Sequence, residues 1–300
     1  AAGSSSGFIG SATAASRSES LIKEYKMSDV LGYRGKNVVV TGAASGMGQA
    51  AAQLLVDLGA TVYALDIAHV SAERTQAIKV DMSDAQSIDA AVTELPESIY
   101  ALFSCAGVPS PPFSARDTVL INFVGLRYLT EAVLPRIEEG GAIASIASTA
   151  GMGWKPKLDS VQAFLALENT FSAAIEWMDA NPEPCADGYG FSKQCMIVYT
   201  MTKARELAQR NIRINCISPS PTASSFMDKL KGEGQMPDEA IDLFLPSNGR
   251  YASGADMGEP LVLLCSKLAS FVSGVNLPVD FGYCAEVFVG QRDDLLGIAQ

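Results

Sequence analysis

Short apolar runs rich in β-branched residues alternate along the chain with longer stretches in which alanine and aliphatic residues recur at helical spacing. The run at 36–41, Lys-Asn-Val-Val-Val-Thr, has strand propensity; beyond a glycine-containing turn, the alanines and leucines of 49–58 favour helix. Further strands are predicted at 60–66, within the segment 141–148 and last at 275–279. Strands that alternate with helices form a βαβ succession, which builds a parallel sheet covered on both faces. The predicted fold is an α/β doubly wound parallel sheet in one domain over residues 27–300. Between about 150 and 188 the alternation is interrupted. There, from 159 to 179, Val161, Phe164, Leu165, Phe171, Ile175 and Met178 recur at a spacing that predicts one or two inserted helices. Residues 1–26, rich in Ser, Ala and Gly, read as a flexible extension or linker with Met27 as the native start. They lack the basic region and long apolar core of a secretory signal.

Composition narrows the function classes. A net charge of −11 and a pI near 4.6 argue against nucleic acid and anionic membrane surfaces as partners. No apolar run approaches the roughly 20 residues needed to span a bilayer, so a soluble chain is expected. The cysteines at 105, 185, 195, 216, 265 and 284 form no CxxC pair, and His69 is the single histidine, so no metal site is expected. Buried thiols in a reduced, cytoplasmic setting are the simple reading.

The turn after the first strand carries the first chemical signal. Gly42, Ser45, Gly46, Met47 and Gly48 lie between a strand and a helix. Gly42 allows a tight turn, Gly46 a close backbone approach to a pyrophosphate and Gly48 close helix packing, while the helix N-terminus supplies partial positive charge. Asp66 ends the second strand at about the distance, roughly 20 residues on, where a ribose-binding carboxylate stands. A carboxylate there accepts from both ribose hydroxyls of NAD and repels a 2′-phosphate, and residues 67–70 hold no lysine or arginine to offset that repulsion. NAD, in a Rossmann-type fold, is the cofactor expected.

The second signal is Tyr189 with Lys193, four residues apart and so on one helix face, together with Ser148 far upstream. A phenol near pKa 10 needs roughly 4 kcal/mol of help to act as a base at neutral pH. One ammonium at about 4 Å supplies that order of energy at an effective dielectric near 20.

Taken together, these residues resemble the short-chain dehydrogenase/reductase family over about residues 35–285. Thr41 to Gly48 is similar to its Thr-Gly-x-x-x-Gly-x-Gly motif, Val80-Asp81 to the adenine contact after the third strand, with Met82 beside it, and Ser104-Cys105-Ala106-Gly107 to its Asn-Asn-Ala-Gly. The resemblance implies a tetrad of Asn122, Ser148, Tyr189 and Lys193, with Asn122 holding a water on a proton path from the lysine to solvent. It also implies cofactor contacts at Ile67 and around Pro219, Ser220, Thr222 and Ser224. Either Thr222 or Ser224 would serve the nicotinamide, and Ser224 aligns better by spacing. Two departures stand out: Ser104 and Cys105 replace asparagines, so the bonds that steady the central strand must come from elsewhere, and Ser220 replaces a glycine. The long Ser148–Tyr189 separation resembles the subgroup of 3α-hydroxysteroid dehydrogenase/carbonyl reductase and coniferyl-alcohol dehydrogenase.

The resulting expectation is NAD-dependent interconversion of a bulky apolar alcohol, of hydroxysteroid, aryl or terpene type, and its carbonyl compound, with Tyr189 as general acid/base. The segments of Phe113, Trp154, Phe164, Phe171, Trp177, Phe226, Met227 and Phe244 would reach the carboxyl ends of the strands, within a substrate loop at about 222–250 and the insertion. Trp154 and Phe226 are the leading substrate contacts, against the alternative that the inserted aromatics only pack helices. A non-catalytic NAD-binding sensor or scaffold, or an extended-type sugar epimerase or dehydratase, would share part of this pattern. A homodimer or homotetramer is expected, with the insertion able to block one family interface, and the tail from 287 to 300 either crosses to a neighbour or folds over the substrate mouth.

Overall fold

A computed structural model describes residues 29–71, 73–231 and 237–300. The expected N-terminal extension and Met27 lie outside the described residues, as does 232–236 within the expected substrate loop. Strands β1 (Asn37–Thr41), β2 (Thr61–Asp66), β3 (Thr75–Lys79), β4 (Ile99–Ser104), β5 (Ile137–Ile146), β6 (Arg213–Pro219) and β7 (Asn276–Val279) form one parallel sheet in the order β3-β2-β1-β4-β5-β6-β7. The order reverses between β1 and β4, so a crevice opens beyond their carboxyl ends, where ligands of such sheets bind. Central β4 is buried at every position, as a strand covered on both faces requires, whereas edge strand β3 exposes Gln76 and Lys79.

The helices are α1 (Gly46–Asp57), α2 (Ala85–Thr93), α3 (an α-helix Ala115–Val119, a π-helical stretch Leu120–Gly125 and an α-helix Leu126–Val133), α4 (Leu158–Leu165), α5 (Phe171–Ala180), α6 (Gly188–Leu207), α7 (Ser225–Lys231), α8 (Asp238–Asp242), α9 (Gly254–Cys265) and α10 (Tyr283–Phe288). Alternation along the strands divides the core. Val39, Leu102 and Ile143 face the layer of α2, α3 and α6; Val38, Val40, Ala101 and Phe103 face α1 and α9.

The insertion forms two helices, α4 and α5. Its aromatics pack inward: Phe164 meets Phe123 of α3 at 6.1 Å between ring centroids, and Trp177 stacks on Phe191 of α6 at 6.0 Å. An Arg116–Asp179 ion pair and a bond from Arg127 Nη2 to Leu167 O, 3.0 Å, tie it to α3. Trp154, Phe164, Phe171 and Trp177 all belong to this core packing. Their apolar surface is used to close the outer flank of α3 and α6, which answers the expectation that they reach a ligand.

One buried cation stabilises the other flank. Arg213, 8 % exposed, donates to the carbonyls of Leu264, Cys265 and Ser266 at the end of α9 and to Val272 O. Four carbonyls and a helix C-terminus balance the charge without a carboxylate. Arg213→Met leaves those carbonyls unpaired, and denaturant unfolding should register a loss of roughly 3 kcal/mol; a loss under about 1 kcal/mol would contradict this account.

Candidate functional site

The glycine loop joins β1 to α1 at the switch point. Gly42 has φ +67°, and a Cβ there would lie 2.7 Å from Ala106 N, so the turn fits only glycine against the end of β4. Thr41 Oγ1 accepts from the amides of Cys105 and Ala106 at 3.0 and 3.1 Å. These are the bonds that steady the central strand where Ser104 and Cys105 replace asparagines; the Ser104 hydroxyl is buried with no partner. Ser45 is the N-cap of α1 yet makes no side-chain cap bond, so the first-turn N–H groups face the crevice. Asp66 is fixed at the end of β2, with Oδ2 accepting from Ala44 N and Oδ1 from Ala68 N, each at 2.9 Å.

At the other end, Ser148, Tyr189 and Lys193 converge despite their separation in sequence. Ser148 follows β5, and Gly151 just beyond it lies on the backbone of α6, where a Cβ would stand 2.7 Å from the Lys193 carbonyl carbon. The insertion leaves and returns behind this contact. Asp187 caps α6 by accepting from Gly190 N at 3.0 Å, and Gly188 abuts Ala115 at the start of α3. Lys193 is 4 % exposed and donates from Nζ to Ile146 O at 2.8 Å. Asn122 lies in the π-helical stretch of α3, fully buried. Its Oδ1 accepts from Val108 N at 2.7 Å and its Nδ2 donates to Val108 O at 2.9 Å. Gly107 sits between Asn122 and Lys193: a Cβ there would lie 3.3 Å from Asn122 Oδ1 and 3.8 Å from Lys193 Nζ.

The electrostatics differ from the sequence expectation. Lys193 Nζ is 5.6 Å from the Tyr189 ring centroid, and it donates to Ile146 O rather than to the phenol. Burial pushes the Tyr189 phenol up to about 12; the hydrogen bond with Ser148 lowers it and the Asp187 carboxylate raises it. Burial also lowers Lys193 to about 8. The ammonium therefore does not hold the phenol down in the chain alone, because both groups have lost solvent. Burial likewise raises the Cys105 thiol well above its ordinary range, so it is an inert neighbour.

A cavity of about 780 Å³ joins the two ends, within the range of small-molecule sites. It takes in Gly42 through Gly48 apart from Ala43, then Asp66, Ile67, Asp81, Met82, Cys105, Ala106 and Gly107, and reaches Ser148, Tyr189 and Lys193. Pro219, Ser220, Thr222 and Ser224 also line it. Thr222 Oγ1 is turned to Ser220 O, 2.9 Å, whereas Ser224 bonds Thr222 O at 3.2 Å and sits closer to Gly46, whose added Cβ would meet the Ser224 Cβ at 3.3 Å. Asp81 Oδ1 accepts from the amide and the hydroxyl of Ser83. Beyond Tyr189 the wall turns apolar: Phe226 lies 5.6 Å from its ring, and Phe113, Met227 and Phe244 follow. Trp154 is absent from this wall and packs on the core instead. Ile241 and Leu296 do line it, although nothing in the sequence singled them out; they come from a short helix and from the tail, where no periodicity points inward. The tail folds back on its own chain.

A dinucleotide fits these residues: a helix N-terminus with free N–H groups, a backbone-fixed carboxylate beyond it, and a cavity long enough to reach the Tyr189–Lys193 pair. Among the described residues no group of acidic, histidine or cysteine side chains could hold a metal, and no helix is long and apolar enough to cross a membrane.

Comparison with known proteins agrees with this geometry. Residues 36–158 match the family model described as short chain dehydrogenase, and residues 170–284 match that described as Enoyl-(Acyl carrier protein) reductase. The coniferyl-alcohol dehydrogenase of Pseudomonas sp. (strain HR199 / DSM 7063) is 32% identical over 251 residues, 82% of this chain and 96% of the relative. The 3-alpha-hydroxysteroid dehydrogenase/carbonyl reductase of Comamonas testosteroni is 24% identical over 82% of this chain and 95% of its own length. The crystal structure of the 3-alpha-hydroxysteroid dehydrogenase from Pseudomonas sp. B-0831 complexed with NADH superposes with a TM-score of 0.73 at 23% identity, covering 86% of this chain and 99% of that one, a likeness of fold. Motifs, sheet order, site geometry and these relatives lead to one conclusion: the chain is an oxidoreductase of the short-chain dehydrogenase/reductase family.

Proposed function

We propose that the chain interconverts a bulky apolar secondary or benzylic-type alcohol and its carbonyl compound, with NAD as cofactor. The observation that carries this reading is the change of character along one cavity: fixed polar groups from Asp66 to Lys193, then the aromatic wall of Phe226, Phe113 and Phe244 past the phenol. Bulky apolar groups gain most from such a wall. The names of the coniferyl-alcohol and hydroxysteroid relatives agree with it.

When bound, the nicotinamide supplies the hydride-accepting or hydride-donating carbon. The chain's own residues manage the proton. A phenol at about 12 is neutral at pH 7, the form that donates a proton to an oxygen gaining charge during carbonyl reduction. Ser148, already hydrogen-bonded to the phenol, is placed to donate to the same substrate oxygen. Lys193 supplies positive charge next to the pair, since a value near 8 leaves it mostly protonated at pH 7. In alcohol oxidation the proton runs the other way, to the Tyr189 oxygen once the phenol has given up its own proton. The side chain of Asn122 is bonded to Val108 through both its amide atoms, so it holds the chain after Gly107 beside Lys193.

Tyr189→Phe should reduce kcat for both directions by at least roughly a thousandfold, as loss of a general acid/base does, with NADH affinity by fluorescence titration changed less than about threefold. Retained turnover would remove Tyr189 from the mechanism. At the other end, the Asp66 carboxylate is fixed by two amides and repels a 2′-phosphate. The unaltered chain should bind NADH tighter than NADPH, and Asp66→Ala should shift that ratio toward NADPH by roughly tenfold or more; tighter NADPH binding by the unaltered chain would contradict the cofactor assignment.

A further inference from the structure

The segment after α10 is anchored to the substrate end of the cavity at several points. Arg292 Nε pairs with Glu286 Oε2 at 2.8 Å, its Nη1 donates to Leu243 O at 3.2 Å and its Nη2 to Ser247 Oγ at 3.3 Å. The same guanidinium stands 4.8 Å from the Tyr283 ring centroid. Because Leu243 and Ser247 follow α8, one side chain clasps α10, the substrate loop and the tail together. Further on, Asp294 closes a turn by accepting from Ile298 N at 2.7 Å and Ala299 N at 3.0 Å. Ile298, 3 % exposed, is buried against Tyr283, Cys284 and Val287. The Leu296 carbonyl oxygen lies so close to Gly153 that a Cβ there would stand 2.1 Å from it. The tail therefore rests on the stretch that follows Ser148.

Between these anchors Leu296 lines the cavity in company with Phe244 and Ile241, and with Phe244 it packs against the cluster of Tyr283, Cys284, Val287 and Ile298. It has no polar group to offer the reaction, and its backbone is held from both sides. We propose that Leu296 is a specificity-determining residue, the wall that limits how large a group can extend past Tyr189, and that Arg292 is the positioning residue that holds this wall against the substrate loop. The inference rests on the reading that the apolar end of the cavity receives the substrate. A single methylene in an apolar pocket discriminates between substrates by roughly tenfold or more, so truncating or enlarging a leucine changes a size preference measurably.

The test compares Leu296→Ala and Leu296→Phe with the unaltered chain on carbonyl compounds graded from short aliphatic ketones to aryl and polycyclic ones, with NADH and NADPH each supplied. The quantity read is the ratio of kcat/KM for the largest to that for the smallest compound. Leu296→Ala should raise it by roughly tenfold and Leu296→Phe should lower it; a ratio unchanged in both variants overturns the proposal. Arg292→Gln should also raise the ratio but add little on top of Leu296→Ala, since both act on one wall. Full additivity would remove Arg292 from the account. A preference of the unaltered chain for the smallest ketones would defeat the bulky-substrate reading instead, and the change of ratio in the variants would still decide the role of Leu296.

Discussion

The burial of the Lys193 ammonium is the constraint around which the site is arranged. At 4 % exposure it has exchanged water for the Ile146 carbonyl at 2.8 Å, and burial lowers it from 10.5 to about 8. At about 1.4 kcal/mol per pH unit, that displacement means roughly 3 kcal/mol of folding energy held in one charge at neutral pH. The sign follows from the two values. Below about pH 8 the lysine is charged in both the folded and unfolded chain and the cost is fully present; it lifts as pH rises from about 8 toward 10.5. A side chain kept at that cost is the mark of a functional group rather than of packing.

The rest of the fold makes the burial possible. Ile146 ends β5, whose register against β4 and β6 fixes the accepting carbonyl. Gly151 brings the chain after Ser148 onto the backbone of α6, and the π-helical stretch of α3 sets Asn122 beside Gly107 on the other side of the ammonium. The insertion seals the outer flank, where Phe164, Trp177, Phe123 and Phe191 form one aromatic cluster behind the catalytic helix. Arg213 does the same at the far edge with carbonyls alone.

Much of this was legible in sequence where local rules decide the outcome. The β-branched runs at β1 and β2, the glycine turn and the acid closing β2 each have a short-range physical cause, and a parallel sheet follows from alternation. The two inserted helices were legible from their apolar spacing, whereas the tetrad of Asn122, Ser148, Tyr189 and Lys193 was named through the resemblance to the family. What was not legible depends on long-range burial. Trp154 read as a pocket residue because its segment was expected at the carboxyl ends of the strands, yet it packs on the core. The i to i+4 spacing of Tyr189 and Lys193 implied a phenol stabilised as phenolate, whereas desolvation, which spacing cannot report, raises it to about 12. Leu296 lies past the last strand, and only the clasp of Arg292 and the approach to Gly153 carry it to the cavity.

The central claim is that Lys193 is held as a desolvated ammonium that loses its proton near pH 8, beside a neutral phenol. The most direct measurement is an NMR titration of the chain carrying 13C-labelled lysine, without cofactor, with Lys193 assigned by its loss in Lys193→Met. The account predicts that this one ε-carbon titrates near pH 8. A Lys193 that titrates at about 10.5 or above would contradict it.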